Sequence, residues 1–164
     1  MATKIIVSNS TPLINFATIN EIQILRKLFK QIIIPQAVWQ EVVIRGRRES
    51  APLIEKADWI SKESIADHRL CNILSKELDR GEAEAIVLAI ELNADLILLD
   101  ELEARNLAEI QGLKYMGSIG CLTLAKRLGL IAKIKPLLDH MINKARFWVN
   151  KELYDFVLLD NREL

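Results

Sequence analysis

The chain has 164 residues, and its 22 Lys plus Arg are matched by 22 Asp plus Glu, so the formal net charge is zero and bulk charge alone cannot recruit nucleic acid. With 51% hydrophobic and 27% charged residues, the composition excludes a disordered chain. It predicts one domain over 1–164, which at this length buries roughly 70% of its unfolded surface and needs no disulfide staple.

Short β-branched runs alternate with longer helical patterns, the signature of an α/β fold: a central, mostly parallel sheet of four to five strands flanked by helices. The first strand is Ile5-Ile6-Val7. It runs into Ser8-Asn9-Ser10-Thr11-Pro12, where Thr11 is placed to cap a helix with Pro12 in its first turn. A second helix follows Asn20. Ile32-Ile33-Ile34 is apolar on both faces, as a central strand should be, and Pro35 ends it and opens a helix to about Ile44. The stretch from Arg45 to Pro52 is the expected exposed loop. A short strand at Trp59-Ile60 precedes a helix predicted from about Ser64 to Leu78. Asp79 starts the next helix, which is apolar from Ala83 to Ile90 at every position except Glu84 and so must be buried on most sides. Leu96 to Leu99 is a strand ending in Asp100. A helix to about Gln111, a short strand at Leu113 to Met116 and the turn Gly117-Ser118-Ile119-Gly120 follow. The remainder is helical: Ile119 to Leu128, Ile131 to about Lys144, and a last helix capped by Asn150, which makes a helical extension of about 130–164.

Cys71 and Cys121 are too few and too distant for a disulfide framework or a zinc site, and are expected as buried thiols in a reducing, cytoplasmic setting. No apolar run approaches the roughly 20 residues of a membrane span, and no signal-peptide pattern is seen, so no membrane partner is expected. Neither G-x-G-x-x-G after a strand nor G-x-x-x-x-G-K-[ST] occurs, which argues against dinucleotide-binding and P-loop enzymes. His68 and His140 fall on different predicted helices, and no serine or cysteine lies in a nucleophile elbow.

What remains is acidic. The functional crevice of an open parallel sheet lies beyond the carboxyl ends of its strands. Those ends carry Asn9 and Asp100, with Glu41 and Glu84 on helices that can approach the same edge. Two carboxylates at 4 Å repel by about 4 kcal/mol at an effective dielectric near 20, so such a cluster calls for a cation. All-oxygen ligands favour Mg²⁺ or Mn²⁺, ions that can orient a water, lower its pKa and neutralise a phosphodiester oxygen.

Each residue also has a plainer reading. Glu41 could be a solvated flank beside Val38, Trp39, Val42 and Val43, and Asp100 an ordinary helix cap. Glu82, three residues after Asp79, fits a capping arrangement. It points about 200° away from Glu84 around the helix, so the two cannot easily serve one site. Glu84 lies next to a buried stripe, where an acid needs a partner. Arg45, Arg47 and Arg48 form either a solvated loop or a phosphate contact, with Arg105, Lys126 and Arg127 elsewhere. Trp39, Trp59 and Trp148 read as core or interface anchors rather than base-stacking platforms. Ser118, in the turn at a helix start, could offer backbone N–H groups to a phosphate.

Taken together, Ile5 to Ile14, Ile34 to Val42, Leu78-Asp79-Arg80-Gly81-Glu82-Ala83-Glu84-Ala85-Ile86 and Asp95 to Asp100 resemble, in that order, the PIN domain family, in its prokaryotic branch of unknown function. The similarity continues through Gly117-Ser118-Ile119-Gly120, Gly129-Leu130-Ile131 and Lys135 to Asp139. The resemblance implies a three-layer fold and a Mg²⁺- or Mn²⁺-dependent ribonuclease. Many prokaryotic members are VapC-like toxins, dimeric and held inactive by a small antitoxin. It further implies that Asn9 stands where the family has its first aspartate and that Glu41 is the second acid. Glu84 is then the third, with Glu82 as the neighbouring alternative, and Asp100 the fourth. Ser10 or Thr11 matches the hydroxyl beside the metal. Asn9 can ligate a hard cation through its carbonyl oxygen but removes a negative charge. Glu101 and Glu103 are available to compensate, although both also suit the first turn of a helix. The alternative is a PIN-fold nucleic-acid-binding or interaction module whose catalysis has decayed. A phosphatase-like or receiver-like reading is disfavoured, since it needs an aspartate nucleophile where this chain has Asn9.

Overall fold

Five strands form one parallel sheet: β1 (Ile6–Ser8), β2 (Ile32–Pro35), β3 (Ile60–Glu63), β4 (Leu96–Leu98) and β5 (Tyr115–Met116), in the order β3-β2-β1-β4-β5. The computed structural model describes residues 3–164; Met1 and Ala2, part of the expected 1–164 domain, lie outside the described residues. The helices are α1 (Ser10–Thr18), α2 (Gln23–Phe29), α3 (Gln36–Trp39, continued by a π-helical stretch Gln40–Ile44), α4 (Ala51–Glu55), α5 (His68–Leu74), α6 (Arg80–Glu91), α7 (Leu102–Ile110), α8 (Ser118–Arg127), α9 (Lys135–Lys144) and α10 (Lys151–Asp160). None of the helices is long and apolar enough to cross a membrane, among the described residues.

Two-residue periodicity divides the sheet between two cores. Ile6, Ile32, Ile34 and Leu98 pack with Phe16, Leu25, Leu122 and Met141 on one face. Val7, Ile97 and Leu99 pack with Ile86, Leu88 and Ala104 on the other. Burial on both faces is why these strands read as continuous apolar runs. The chain steps outward from β1 through β2 to β3, then returns to place β4 and β5 on the opposite side of β1. The order therefore reverses between β1 and β4, where the carboxyl ends open a crevice. Asn9 N–H donates to the Leu98 carbonyl at 3.0 Å and closes the two strand ends on each other.

Several element boundaries differ from expectation for identifiable reasons. Helix α1 starts at Ser10 with Asn9 as its cap residue, because the Thr11 hydroxyl donates to Glu101 instead of capping. The helix expected from Ser64 shrinks to α5. The Glu91 carboxylate accepts from the N–H groups of Ala66 and Asp67 and holds that segment outside the helix, while Asp67 caps at Leu70 N–H. Helix α4 begins inside the expected loop, over a fully buried Ser50. Helix α9 starts only at Lys135, where Glu163 accepts from the N–H groups of Ile134 and Lys135. Trp59 is a core anchor, but Trp148 is 80% exposed and anchors nothing in the fold. Cys71 and Cys121 are free and buried.

Candidate active site

The crevice is built from four parts of the chain. Beyond β1, buried Asn9 is followed by Ser10, whose hydroxyl donates to Glu41 Oε2 at 2.8 Å. Glu41 lies in the π-helical stretch, where Arg45 N–H reaches back five residues to the Gln40 carbonyl. One extra residue in the turn re-aims the side chains around it, a distortion frequent at functional sites. The start of α6 supplies Asp79, which accepts from Glu82 N–H at 2.8 Å, then Gly81 and Glu82. Gly81 stands directly against the acids: a Cβ there would overlap Glu41 Oε1 and lie 3.4 Å from Asn9 Oδ1. Beyond β4, Asp100 accepts from Ser118 N–H at 2.8 Å and from Ser118 Oγ at 2.6 Å. Asn15 in turn donates to that hydroxyl at 3.1 Å.

Glu101 links these parts. It accepts from Thr11 Oγ1 at 2.5 Å and from Asn9 Nδ2 at 3.4 Å. With the Asn9 nitrogen turned to Glu101, its Oδ1 faces Gly81 and is buried with no hydrogen-bond partner. Such an orphan costs about 1–3 kcal/mol and calls for an explanation.

The electrostatics indicate missing positive charge. Burial, then Asp79, Glu101 and Glu103, push the Glu82 carboxyl up to about 8. Burial also raises Glu41, against the lowering effect of Ser10, with Asp79 and Glu101 adding to the rise and Arg45 opposing it. Burial raises Asp100 as well, while the two bonds from Ser118 lower it and Glu101 raises it further. Among the described residues, no three His, Cys, Asp or Glu side chains form a ready-made metal cage. The remaining oxygen is the amide of Asn9. An orphaned amide oxygen beside an open carboxylate oxygen, in a space kept clear by a glycine, fits a hard divalent cation that retains waters in its shell.

Among the expected site residues, Asn9, Ser10 and Glu41 meet around Gly81, and Thr11, Glu82 and Asp100 reach the same crevice through Glu101. Glu84 does not. Its carboxylate accepts from Ala37 N–H at 3.1 Å and from Arg80 Nε at 2.9 Å, and so ties α6 to the start of α3. Ser118 is not free to bind phosphate through its own N–H, because both its donors hold Asp100. Arg45 faces Glu41, and Arg47 lines the crevice, whereas Arg48 is exposed and not part of that lining. Glu101, expected only as a compensating charge, is the link between the parts, and one residue outside the expected set matters: Arg146, which lines a cleft of about 350 Å³ together with Arg47, Thr11, Asp100, Glu101 and Trp148. The neutral total charge thus conceals acids and arginines in one cleft.

A doubly wound parallel sheet with carboxylates and an amide gathered at its switch point defines an α/β protein with an acidic crevice. A family model described as a PIN domain matches residues 5–163, and the chain belongs to the PIN domain family, a fold of the nuclease type. No curated protein matches the chain.

Proposed function

We propose that this protein is a Mg²⁺- or Mn²⁺-dependent endoribonuclease of the PIN type. The carrying observation is the buried, partnerless Asn9 Oδ1 beside the open Oε1 of Glu41, in the space that Gly81 leaves clear. Asn9, Glu41, Glu82 and Asp100 are the residues that would hold the ion. When bound, the ion supplies neutralisation of phosphodiester charge and a lowered pKa for a hydrolytic water. Ser10 fixes one oxygen of Glu41 and leaves the other free. Glu82 would hold the ion as a carboxylate, and Glu101 supplies the negative charge that Asn9 lacks while orienting the amide. Arg47 and Arg146, in the same cleft, suit the phosphates of a bound strand.

The test is cleavage of single-stranded RNA with Mg²⁺ or Mn²⁺ by the native chain and by Glu41→Gln, Glu82→Gln and Glu84→Gln. The native protein cuts, the first two variants lose at least about 100-fold, in the range of removing one group that stabilises the transition state, and folded Glu84→Gln retains activity. If neither the native chain nor Asn9→Asp cuts any RNA while all remain folded, the nuclease reading fails. A non-catalytic nucleic-acid-binding module then takes its place.

We further propose that the nuclease is the toxin of a toxin–antitoxin pair and associates as a homodimer. Supporting the first is a cleft of about 730 Å³ beside the acids, whose apolar lining of Leu102, Tyr115, Met116, Ile119, Trp148 and Leu153 suits a small protein partner. Supporting the second are Phe156 and Leu159 of α10, 64% and 63% exposed. Growth arrest on expression, relieved by the product of a neighbouring short reading frame, checks the first; sedimentation velocity checks the second.

A further inference from the structure

A second hollow, of about 360 Å³, adjoins the acidic cleft and shares Arg47 and Arg146 with it; Thr18, Glu49 and Lys144 complete its lining. Three cations face one acid there. Among the described residues none of the three lies within salt-bridge distance of a carboxylate, and Arg47 has only a 3.5 Å bond to the Ala145 carbonyl. Thr18, 6% exposed, lines the hollow with a hydroxyl that is buried and has no partner. Arg146 occupies the left-handed turn after α9 at φ 57°, a conformation that glycine adopts without steric cost and arginine does not. That turn brings its long cationic side chain to both clefts.

Unpaired cations gathered around one hollow, with an orphaned hydroxyl in its wall, describe an anion site, and guanidinium groups match phosphate oxygens in particular. Helix α1 sets the spacing: Thr11 in its first turn belongs to the acids and Thr18 at its end to the hollow, roughly 10 Å apart at 1.5 Å per residue. We propose that Thr18, Arg47, Lys144 and Arg146 form a phosphate subsite that grips a single RNA strand at a phosphate removed from the one cut. The strand lies over the shared arginines and enters the acidic cleft from this side. The anion site stands on its own geometry; its assignment to an RNA backbone rests on the nuclease reading above.

The experiment is fluorescence anisotropy of a labelled single-stranded RNA with the full chain in EDTA, at a series of salt concentrations. For Lys144→Gln/Arg146→Gln, affinity falls by tenfold or more at low salt. The slope of log K against log salt flattens by about 0.7 for each phosphate that is no longer neutralised. Thr18→Val weakens binding a few-fold with no change of slope. A control that removes two distant charges, Lys76→Gln/Lys114→Gln, leaves the slope as in the native chain. Unchanged affinity and slope in the double variant, equal flattening by the control, or no RNA binding by the native chain overturns the subsite. Native protein that binds RNA through these residues yet cuts none under any divalent ion keeps the subsite and removes the nuclease reading. Cleavage with an unaltered KM in the double variant does the reverse.

Discussion

Replacing Gly81 by alanine separates the site from the fold. Gly81 is the second residue of α6, and its φ is not in the left-handed region, so alanine meets no backbone strain and gains about 0.5–1 kcal/mol in helix propensity. Its methyl group, however, overlaps Glu41 Oε1 and approaches Asn9 Oδ1 to 3.4 Å, the two oxygens that the cation reading needs open. Glu41 must swing away, at the expense of its bond from Ser10, a charged hydrogen bond of about 1.5–3 kcal/mol. Gain and loss partly offset, and the melting temperature of the metal-free protein should move by only a few degrees at roughly 2–4 °C per kcal/mol. Metal linkage should change far more. For the native chain, Mn²⁺ at a hundred times its Kd adds about 2.7 kcal/mol, or roughly 5–10 °C, and Gly81→Ala should abolish that increment. Thermal unfolding by circular dichroism with Mn²⁺ or EDTA measures both. Glu84→Gln should behave oppositely: loss of the bonds to Ala37 N–H and Arg80 lowers stability by about 1–3 kcal/mol, with the Mn²⁺ increment retained. A full Mn²⁺ increment in Gly81→Ala refutes the placement of the cation.

The pH dependence has a definite sign. Glu82 holds its proton to about 8 in the folded chain against 4.5 ordinarily, so the native state binds more protons than the unfolded one between those values. Stability of the metal-free protein therefore falls as pH rises through that window and levels off above it. Urea titrations from pH 5 to 9 check this, and Glu82→Gln should flatten most of the slope. Asn9→Asp exchanges the amide bond to Glu101 for a repulsion. It should lower the metal-free melting temperature while tightening Mn²⁺ binding, both read by calorimetry. Trp148, 80% exposed beside Arg47 and Arg146, should be quenched on RNA binding. Trp148→Ala should weaken that binding about tenfold, within the range of one base-aromatic stack, and leave stability unchanged.

The sheet was legible because strands buried on both faces leave uninterrupted β-branched runs, and Asn9 and Asp100 follow directly from where two of those strands stop. Which of Glu82 and Glu84 faces the crevice was harder to read. Glu82 and Glu84 are separated by one alanine, and the apolar neighbours of Glu84 mark it correctly as a buried acid that needs a partner. Its partner is Arg80, four residues earlier on the same helix face, with Ala37 N–H behind it. An i,i+4 pair of that kind is visible in the sequence and argues for a structural carboxylate. Glu101 was visible just past Asp100 as a charge that could compensate for Asn9, but its bonds to Asn9 and Thr11 span about ninety residues and left no local pattern. The π-helical turn under Glu41 and the left-handed turn at Arg146 have no periodic signature either.

Asparagine at position 9 reads in the sequence as a deleted charge. In the fold the charge has moved rather than vanished: Glu101 sits against the amide nitrogen and is felt by Glu41, Glu82 and Asp100 alike. An aspartate at position 9 would add a further negative group to a cluster that already pushes the Glu82 carboxyl upward. The amide instead offers a neutral oxygen, pre-aimed by its bond to Glu101. That arrangement lowers the cost of holding the acids together before a cation arrives, and weakens the cation's hold once it has. A nuclease built this way is expected to bind its metal loosely, and to depend for affinity on an RNA strand whose phosphates bring further oxygen ligands and whose backbone the arginines already grip.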